Sequence, residues 1–293
     1  MKKDISGFLL LNKSLDLSSN QALQKIKSLF CAKKAGHTGS LDPLATGMLP
    51  ICFGEATKFS QYLLNADKVY QTRIKLGVTT TTGDREGDVL EEKIPKAVSQ
   101  SELESVLERF RGPIKQVPPM YSALKHQGKP LYLLAREGKE VERQPREVTI
   151  HDLRLLSHQE DELVLYVRCS KGTYIRVLAE DIGHALGCGA HVLDLYRVSV
   201  HPFSERDMLT YDAYEAMSPE EREQRILSIG QAFLGVPAVN LDESGVQRLR
   251  YGQPLVVDSK KEALVQFLDG NGAFLGVGEI NAEGGVDKRR LMQ

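Results

Sequence analysis

The chain has 293 residues, of which 41% are hydrophobic and 26% charged, and its formal net charge at pH 7 is −1. This length allows one large domain or two smaller ones, and the composition is that of an ordinary globular protein. No apolar run approaches the ~20 residues of a membrane-spanning helix, and the apolar stretch near the start is too short for a signal peptide. We therefore expect a cytoplasmic protein with no membrane contact.

Strands and helices alternate in the first part of the chain. Ser18 or Ser19 can cap the first helix, and Ser99 with Glu102 can form a capping box for a later one. From Tyr70 onward apolar and polar side chains alternate, which predicts a half-buried strand with Tyr70 at its start on the apolar face. The predicted elements are a strand at 7–11, a helix at 18–30, a loop at 36–47, a helix at 55–64, a strand at 70–78 and a helix at 99–110.

The second part begins with an irregular segment, 113–146, that is rich in proline, glycine and basic residues. Between residues 111 and 146 there are eight Lys or Arg against three Glu. Loops of this length inside a domain are usually functional or mobile, so we expect this one to contact a polyanion. The elements predicted after it are a strand at 163–169, a helix at 174–186, a strand at 191–200, a helical region at 202–236 and short strands with Gly-rich turns from 238 onward.

The loop 36–47 contains candidate catalytic residues. Pro43 fixes its own φ and restricts Asp42 to extended backbone conformations, so the carboxylate can project into a cleft. His37 offers a flat polar ring that can insert against a base stack. The simplest alternative is an Asx turn at Asp42 with a surface histidine, which is the usual structure of an Asp-Pro loop.

A second cluster, 169–176, combines the end of a strand with the start of a helix. A strand ends at Gly172, and the next helix begins with Tyr174 and Arg176. The simplest alternative is a helix start with an exposed arginine. Neither cluster has the ligand spacing of a metal site, the residue order of a Ser-His-Asp triad or the pattern of a phosphate-binding loop.

Taken together, the two clusters resemble the signature of the TruB-type tRNA pseudouridine-55 synthases of bacteria. The resemblance runs through nearly the whole chain in the right order, which makes it highly specific. The matching segments are Gly7-Phe8-Leu9-Leu10-Leu11, the loop 36–47, Met48-Leu49-Pro50-Ile51-Cys52, Gly54-Glu55-Ala56-Thr57-Lys58, Met120-Tyr121-Ser122-Ala123-Leu124-Lys125, Lys171-Gly172-Thr173-Tyr174-Ile175-Arg176 and Cys188-Gly189-Ala190-His191-Val192.

The resemblance implies a role for individual residues. Asp42 matches the catalytic aspartate, with Arg176 facing it and Tyr70 stacked on the uracil and placed to take the C5 proton. His37 matches the histidine that helps to displace the target base and occupies its place in the RNA loop. The remaining implied substrate contacts are Tyr174, Leu195 and Lys13.

The resemblance also implies a fold and a partner. The implied fold is α+β, with a mixed-sheet catalytic domain over residues 1–237, an inserted RNA-clamping loop at about 113–146, and a small β-rich PUA-like domain at 238–293. The implied partner is the T-arm of tRNA, bound by a monomer without an obligatory protein partner, cofactor or metal. The implied reaction converts the uridine at position 55 to pseudouridine by base flipping.

Two positions depart from the family pattern. Ser14 follows Lys13 where the family usually has a proline, which loosens a turn beside the site. Near Leu195 a double arginine is common, whereas this chain has Tyr196 and Arg197. We expect the second change to remove a cation that reaches phosphates and to weaken RNA binding somewhat.

The chemistry of the implied reaction suits these residue types. The reaction breaks the N1–C1′ bond, rotates the uracil and joins C5 to C1′, so it needs an ionised carboxylate near C1′ rather than a redox group. Asp42 can act as a nucleophile or as a base toward the C2′ proton, and the sequence leaves both routes open. An arginine at about 3 Å is expected to keep Asp42 ionised and lower its pKa.

Three other functions fit parts of the sequence less well. The alternatives are an RNA-binding chaperone, a pseudouridine synthase of ribosomal RNA, and a hydrolase that uses Asp42 with His37. The loop 36–47 and the segment 171–176 favour the tRNA type of synthase over the ribosomal type. The absence of a candidate oxyanion loop and nucleophile argues against the hydrolase.

Overall fold

A computed structural model describes residues 2–95, 97–255 and 263–292 of the chain. The helices are α1 Ser19–Leu29, α2 Ser60–Asn65, α3 Gln100–Glu108, α4 Leu131–Arg136, α5 Ile175–Ala185, α6 Tyr211–Ala216, α7 Pro219–Gln224 and α8 Glu243–Arg250, with 3-10 turns at Gly54–Phe59, Glu205–Asp207 and Ile229–Phe233. The first ten strands are β1 Gly7–Lys13, β2 Ala35–His37, β3 Ala45–Phe53, β4 Lys68–Leu76, β5 Val78–Thr80, β6 Val89–Glu92, β7 Gly112–Gln116, β8 Lys125–His126, β9 Lys129–Pro130 and β10 Arg146–Gln159. The others are β11 Glu162–Cys169, β12 Ala190–Val200, β13 Leu209–Thr210, β14 Ala238–Asn240, β15 Ala263–Leu268, β16 Phe274–Ile280 and β17 Val286–Leu291.

A nine-stranded mixed sheet forms the body of the protein. Its strands follow the order β13-β1-β3-β12-β4-β11-β10-β7, and β2 pairs with β3 outside this path. The β12–β3 and β1–β13 pairs are parallel, and the other pairs of this sheet are antiparallel. Because β12 lies between β3 and β4, it brings the chain segments around Asp42 and Tyr70 to neighbouring positions. The predicted α+β class with a central mixed sheet is confirmed.

The sequence patterns explain why these elements form. Ser18 caps α1 through a capping box with Gln21, and α1 turns Leu23 and Ile26 toward the sheet. The side chains of β4 alternate between buried and more exposed positions, with Tyr70 on the buried side. These elements confirm the predicted first helix and the predicted half-buried strand, since the periods of 3.6 and 2 each bury one face.

The two faces of the sheet have separate cores. On one face α1, α3 and α5 cover a large apolar cluster that includes Leu9, Ile74 and Leu163. On the other face Phe8, Phe59 and Phe233 form a second cluster that extends to Val277 of β16. Since Tyr70 and Leu195 belong to the first cluster, the candidate site lies on the face that carries α5.

The C-terminal part forms a four-stranded sheet in the order β14-β15-β16-β17, with α8 beside it. It has an apolar cluster of its own, which includes Leu249 and Phe267. Phe274 of β16 stacks on Phe233 at 5.3 Å between ring centroids and so joins this sheet to the apolar cluster on the second face of the main sheet. The predicted β-rich C-terminal part is confirmed as a fold feature; residues 256–262 and 293 of the predicted domain lie outside the described residues.

Some elements differ from the predictions. The segment 113–146 is not irregular throughout, because β7 pairs with β10 at the edge of the main sheet and the excursion from it covers only 117–145. A strand that contains a proline is tolerated at a sheet edge, which hid β7 in the sequence. The helix α8 was not predicted. Across the described parts of the chain, no helix has the length and apolarity needed to cross a membrane.

Candidate active site

The loop between β2 and β3 holds Asp42 by contacts to its backbone. The side chain of Ser19 accepts a hydrogen bond from the Leu41 amide at 2.7 Å and donates one to the Leu41 carbonyl at 3.0 Å. The Asp42 carbonyl accepts a hydrogen bond from the Ala45 amide at 3.0 Å. Gly39 has a φ of +74°, a conformation that side chains rarely adopt. Asp42 therefore stands on a backbone that is fixed on both sides.

Arg176 enters the site from the first turn of α5 and faces Asp42, as predicted. Its Nε lies 3.0 Å from Asp42 Oδ2, and its side chain is 5% exposed. Its terminal nitrogens donate to the carbonyls of Thr82 at 2.6 Å and Tyr121 at 2.7 Å. The expected alternative of an exposed arginine at a helix start is therefore wrong. The guanidinium is locked by contacts that come from three separate segments.

Asp84 is a second carboxylate beside Arg176, and its side chain is buried. Its Oδ2 lies 3.5 Å from Arg176 Nη1, and its Oδ1 accepts hydrogen bonds from the Thr82 hydroxyl and the Glu86 amide. One cation thus lies between two carboxylates. Asp84 was not among the predicted site residues, because its contact with Arg176 joins segments about ninety residues apart in sequence.

The net direction of the Asp42 pKa differs from the prediction. Arg176 does lower this pKa, but burial raises it and Asp84 raises it further, so the pKa lies above its ordinary value. The side chain of Asp42 remains 41% exposed, toward the cavity in front of it. The predicted lowering was wrong because it counted the cation and left out the desolvation of a carboxylate at the bottom of a pocket.

A cavity of about 390 Å³ opens in front of Asp42. This volume is in the usual range for small-ligand sites. Tyr70 and Leu195 give it a flat aromatic and an apolar surface, and Tyr174 and Arg176 also line it. The structure therefore brings together five of the seven residues singled out from the sequence, and it rules out the Asx-turn alternative with a solvent-facing Asp42.

His37 and Lys13 lie beside the cavity rather than in its lining. His37 is half-buried in β2, and its Nδ1 is buried without a hydrogen-bond partner. Burial and Arg197 lower the pKa of His37, which keeps the ring neutral. Lys13 is buried, and its ammonium donates to the carbonyls of Ser14, Leu17 and Pro43 at 2.9, 2.7 and 3.3 Å. Lys13 thus holds the backbone next to Asp42.

Two further cations contact the site and were missed as site residues. Lys68 lines the cavity and donates to the carbonyls of Leu63, Leu64 and Ala66 at the end of α2. Arg197 also lines the cavity, and its side chain is buried. The sequence drew attention to Arg197 only as the remaining member of a double arginine that is common at this place. In the structure its donors bind the carbonyls of Met48 and Gly39.

Charged side chains around the cavity determine the chemistry that the site can perform. Among the residues that the structure describes, no group of three or more His, Cys, Asp or Glu side chains could hold a metal ion. A carboxylate paired with an arginine, beside a tyrosine ring, can stabilise a developing positive charge or attack an electrophilic carbon.

Protein-family models match almost the whole chain in three consecutive segments. Residues 27–175 match the N-terminal domain of TruB family pseudouridylate synthases. Residues 176–231 match the tRNA pseudouridylate synthase B C-terminal domain, and 237–292 match the C-terminal domain of pseudouridine synthase II TruB.

Curated relatives agree with these matches. The tRNA pseudouridine synthase B of Chromohalobacter salexigens is 51% identical over 290 residues, which cover 98% of this chain and 94% of the relative. The tRNA pseudouridine synthase B of Pseudomonas aeruginosa is 49% identical over 298 residues, which cover 100% of this chain and 98% of the relative.

Solved structures share the fold. A crystal structure of a Cbf5-Nop10-Gar1 complex matches with a TM-score of 0.76 at 24% identity and covers 98% of this chain and 84% of that one. The combination of this fold with the matched family models defines a pseudouridine synthase, an enzyme that isomerises uridine within RNA. Within that class, the chain belongs to the TruB family of pseudouridylate synthases.

Proposed function

We propose that this enzyme converts the uridine at position 55 in the T-loop of tRNA to pseudouridine. The observation that carries the proposal is the single Asp42 carboxylate, which is held against Arg176 in a cavity with the Tyr70 ring. The full-length identity of about half to proteins named tRNA pseudouridine synthase B supports tRNA as the substrate. The matched signature loop 36–47 supports the T-loop position.

The reaction begins when the target nucleotide leaves its stack and enters the cavity. Unstacking costs a few kcal/mol. Stacking of the uracil on Tyr70 returns ~1–3 kcal/mol, which is the right scale to offset that cost. Leu195 closes the apolar side of the cavity, and the neutral ring of His37 fills the space that the base leaves in the RNA.

Asp42 then acts at the ribose. The N1–C1′ bond breaks, the uracil turns and C5 bonds to C1′; C5 loses a proton and N1 gains one, so nothing is oxidised. Asp42 acts either as a nucleophile at C1′ or as a base toward the C2′ proton. Tyr70 lines the cavity, where its oxygen in the phenolate form can take the C5 proton, and Tyr174 lines the cavity as a further contact for the base.

The surrounding parts hold the RNA. Residues 117–145 extend from the edge of the sheet, and their lysines and arginines clamp the RNA backbone, since phosphate contacts position an RNA without reading its sequence. We assign residues 1–237 to the catalytic domain and 238–293 to a PUA-like domain. The enzyme works as a cytoplasmic monomer on the T-arm, without an obligatory protein partner.

The experiment maps pseudouridine at single-nucleotide resolution in unmodified tRNA after incubation with the enzyme. The proposal expects conversion at position 55 alone, and no product in a tRNA that carries cytidine at position 55. Conversion at other tRNA uridines, or faster conversion of ribosomal RNA fragments under matched conditions, would contradict the assigned position or substrate.

A further inference from the structure

Arg197 has contacts that the proposed chemistry does not use. It lies in β12, its side chain is 1% exposed, and it points toward the catalytic loop. Its Nε donates to the Met48 carbonyl at 2.6 Å, and its Nη2 donates to the Gly39 carbonyl at 2.9 Å. Gly39 is in the loop that carries Asp42. One buried guanidinium therefore ties this loop to the centre of the sheet.

The strand register places the same arginine opposite Tyr70. In the antiparallel β12–β4 pair, Arg197 and Tyr70 are direct partners, and directly opposed side chains start ~5 Å apart. In the parallel β12–β3 pair, Arg197 is the partner of Gly47. A Cβ on Gly47 would lie 2.3 Å from the Arg197 carbonyl oxygen, so only glycine allows the two backbones to approach this closely. The position of the arginine is thus fixed from both neighbouring strands.

The guanidinium also acts on the Tyr70 hydroxyl. Burial raises the pKa of Tyr70, and the nearby Cys169 and Asp42 raise it as well, whereas the charge and the hydrogen bond of Arg197 lower it. An arginine has donors only and stays protonated, so in a hydrogen bond between these two side chains the phenol oxygen of Tyr70 is the acceptor. By lowering the pKa, Arg197 favours the phenolate form of Tyr70, which is the form that can accept a proton.

We infer that Arg197 is a positioning residue for the isomerisation, which holds the Tyr70 hydroxyl and the Asp42 loop in a fixed relation across the cavity. The inference rests on the proposed function, in which Tyr70 and Asp42 act on the same nucleotide from two sides. The two groups come from segments that are far apart in sequence, and Arg197 donates to the Gly39 carbonyl of the Asp42 loop while it is the cross-strand partner of Tyr70.

A purely structural role would have a different signature. A buried arginine that only holds the fold would lower stability when changed, and it would lower activity by the same factor whether or not Tyr70 has its hydroxyl. A positioning role predicts that the effect of changing Arg197 depends on that hydroxyl, because residues that act together show coupling in a double-mutant cycle.

The test is a double-mutant cycle of Arg197→Lys and Tyr70→Phe, with tRNA in single-turnover reactions. Arg197→Lys keeps the charge but cannot span both carbonyls and the phenol. We expect it to slow the reaction ~10–100-fold while tRNA affinity stays within about twofold, since small misplacements of reacting groups cost about this much. In the Tyr70→Phe background the same change should cost less than about threefold.

The control is Arg73→Lys, because Arg73 is an exposed arginine on β4 that pairs with Asp194 and Glu162 on the sheet surface. It should change the rate less than about twofold. Arg197→Gln, which keeps an amide donor for one carbonyl, is measured in parallel in case the lysine variant does not fold.

Equal losses in both Tyr70 backgrounds would overturn the inference and leave the proposed function intact. Failure of both Arg197 variants to fold would also overturn it, because the arginine would then serve stability. Full activity of Tyr70→Phe would instead contradict the role of Tyr70 in the proposed function, and the two failures are thereby distinguished.

Discussion

The cavity around Asp42 and the excursion at 117–145 both contain charged residues, but they use them in opposite ways. In the cavity, Asp42 and Asp84 share one buried guanidinium whose remaining donors are bound to backbone carbonyls. In the excursion, Lys139 pairs with Glu137 on exposed surface, and the half-buried Arg143 pairs with the exposed Glu140.

The difference shows where each charge can act. When a buried charged side chain is removed, water does not reach its partners to compensate. The removal therefore changes the positions and the proton affinities of the groups that it paired with. An exposed ion pair is worth ~0–1 kcal/mol and is screened by salt. We therefore expect cavity residues to control the rate of the chemical step and residues of the excursion to control affinity.

The largest effect is expected for Asp42→Asn. An amide neither attacks C1′ nor accepts a proton there, so the rate should fall at least ~10⁴-fold, while tRNA affinity stays within about twofold. Single-turnover product formation and filter binding with the same tRNA measure the two quantities. Asp212→Asn, on the exposed surface of α6, is the matched control and should behave like the wild type. Undiminished product formation would refute the assignment of Asp42.

The next effect is expected for Arg176→Lys. The lysine keeps one positive charge but cannot bind Asp42 and the carbonyls of Thr82 and Tyr121 together. We expect a rate reduction of ~10²-fold and a lower melting temperature, because Asp42 and the buried Asp84 lose part of their pairing. Single-turnover rates and thermal unfolding provide the measurements. Full activity of the lysine variant would show that the geometry of this pair is unimportant.

The pH dependence of the rate tests in which direction Asp84 and Arg176 each shift the pKa of Asp42. Asp42 must be ionised to act, so activity is lost as the pH falls through its raised pKa. Asp84 raises this pKa and Arg176 lowers it. Asp84→Asn should therefore move the acidic limb of the rate profile to lower pH, and Arg176→Lys should move it to higher pH. Single-turnover rates between pH 4 and pH 8 decide the signs, and shifts in the same direction would contradict the electrostatic account.

The smallest effect is expected in the excursion. Replacing Lys125 by Ala should weaken tRNA binding about two- to fivefold and leave the single-turnover rate at saturation unchanged. If Lys125 contacts one phosphate, the slope of log affinity against log salt should fall by ~0.7–0.9. Lys75→Ala, at an exposed ion pair with Asp161 on the sheet, provides the control. A changed rate with an unchanged salt slope would assign Lys125 to the chemistry instead.

The sequence predicted the local features of this fold better than its long-range contacts. The Ser18 cap and the alternation at Tyr70 are local signals, and both were correct. The edge strand β7 was missed because it contains a proline. The strand β10 was also not predicted. Local sequence patterns predict individual helices and strands, whereas the pairing of strands in a sheet depends on partners elsewhere in the chain.

In the candidate site, too, the sequence predicted local features better than long-range contacts. The resemblance of segments identified Asp42, Tyr70 and Arg176, and these residues do line one cavity. The burial of Asp84 and Arg197 was not predicted, because the partners that allow it lie about a hundred residues or more away in sequence. For the same reason the net direction of the Asp42 pKa could be found only from the folded arrangement.

The most direct test of the account is a crystal structure of the Asp42→Asn variant bound to a T-arm stem-loop. The account predicts that the target nucleotide is flipped out, that its base lies on Tyr70, and that its C1′ lies within about 3.5 Å of the side chain at position 42. A target uridine still stacked in the RNA loop, or a ribose bound away from this side chain, would contradict it.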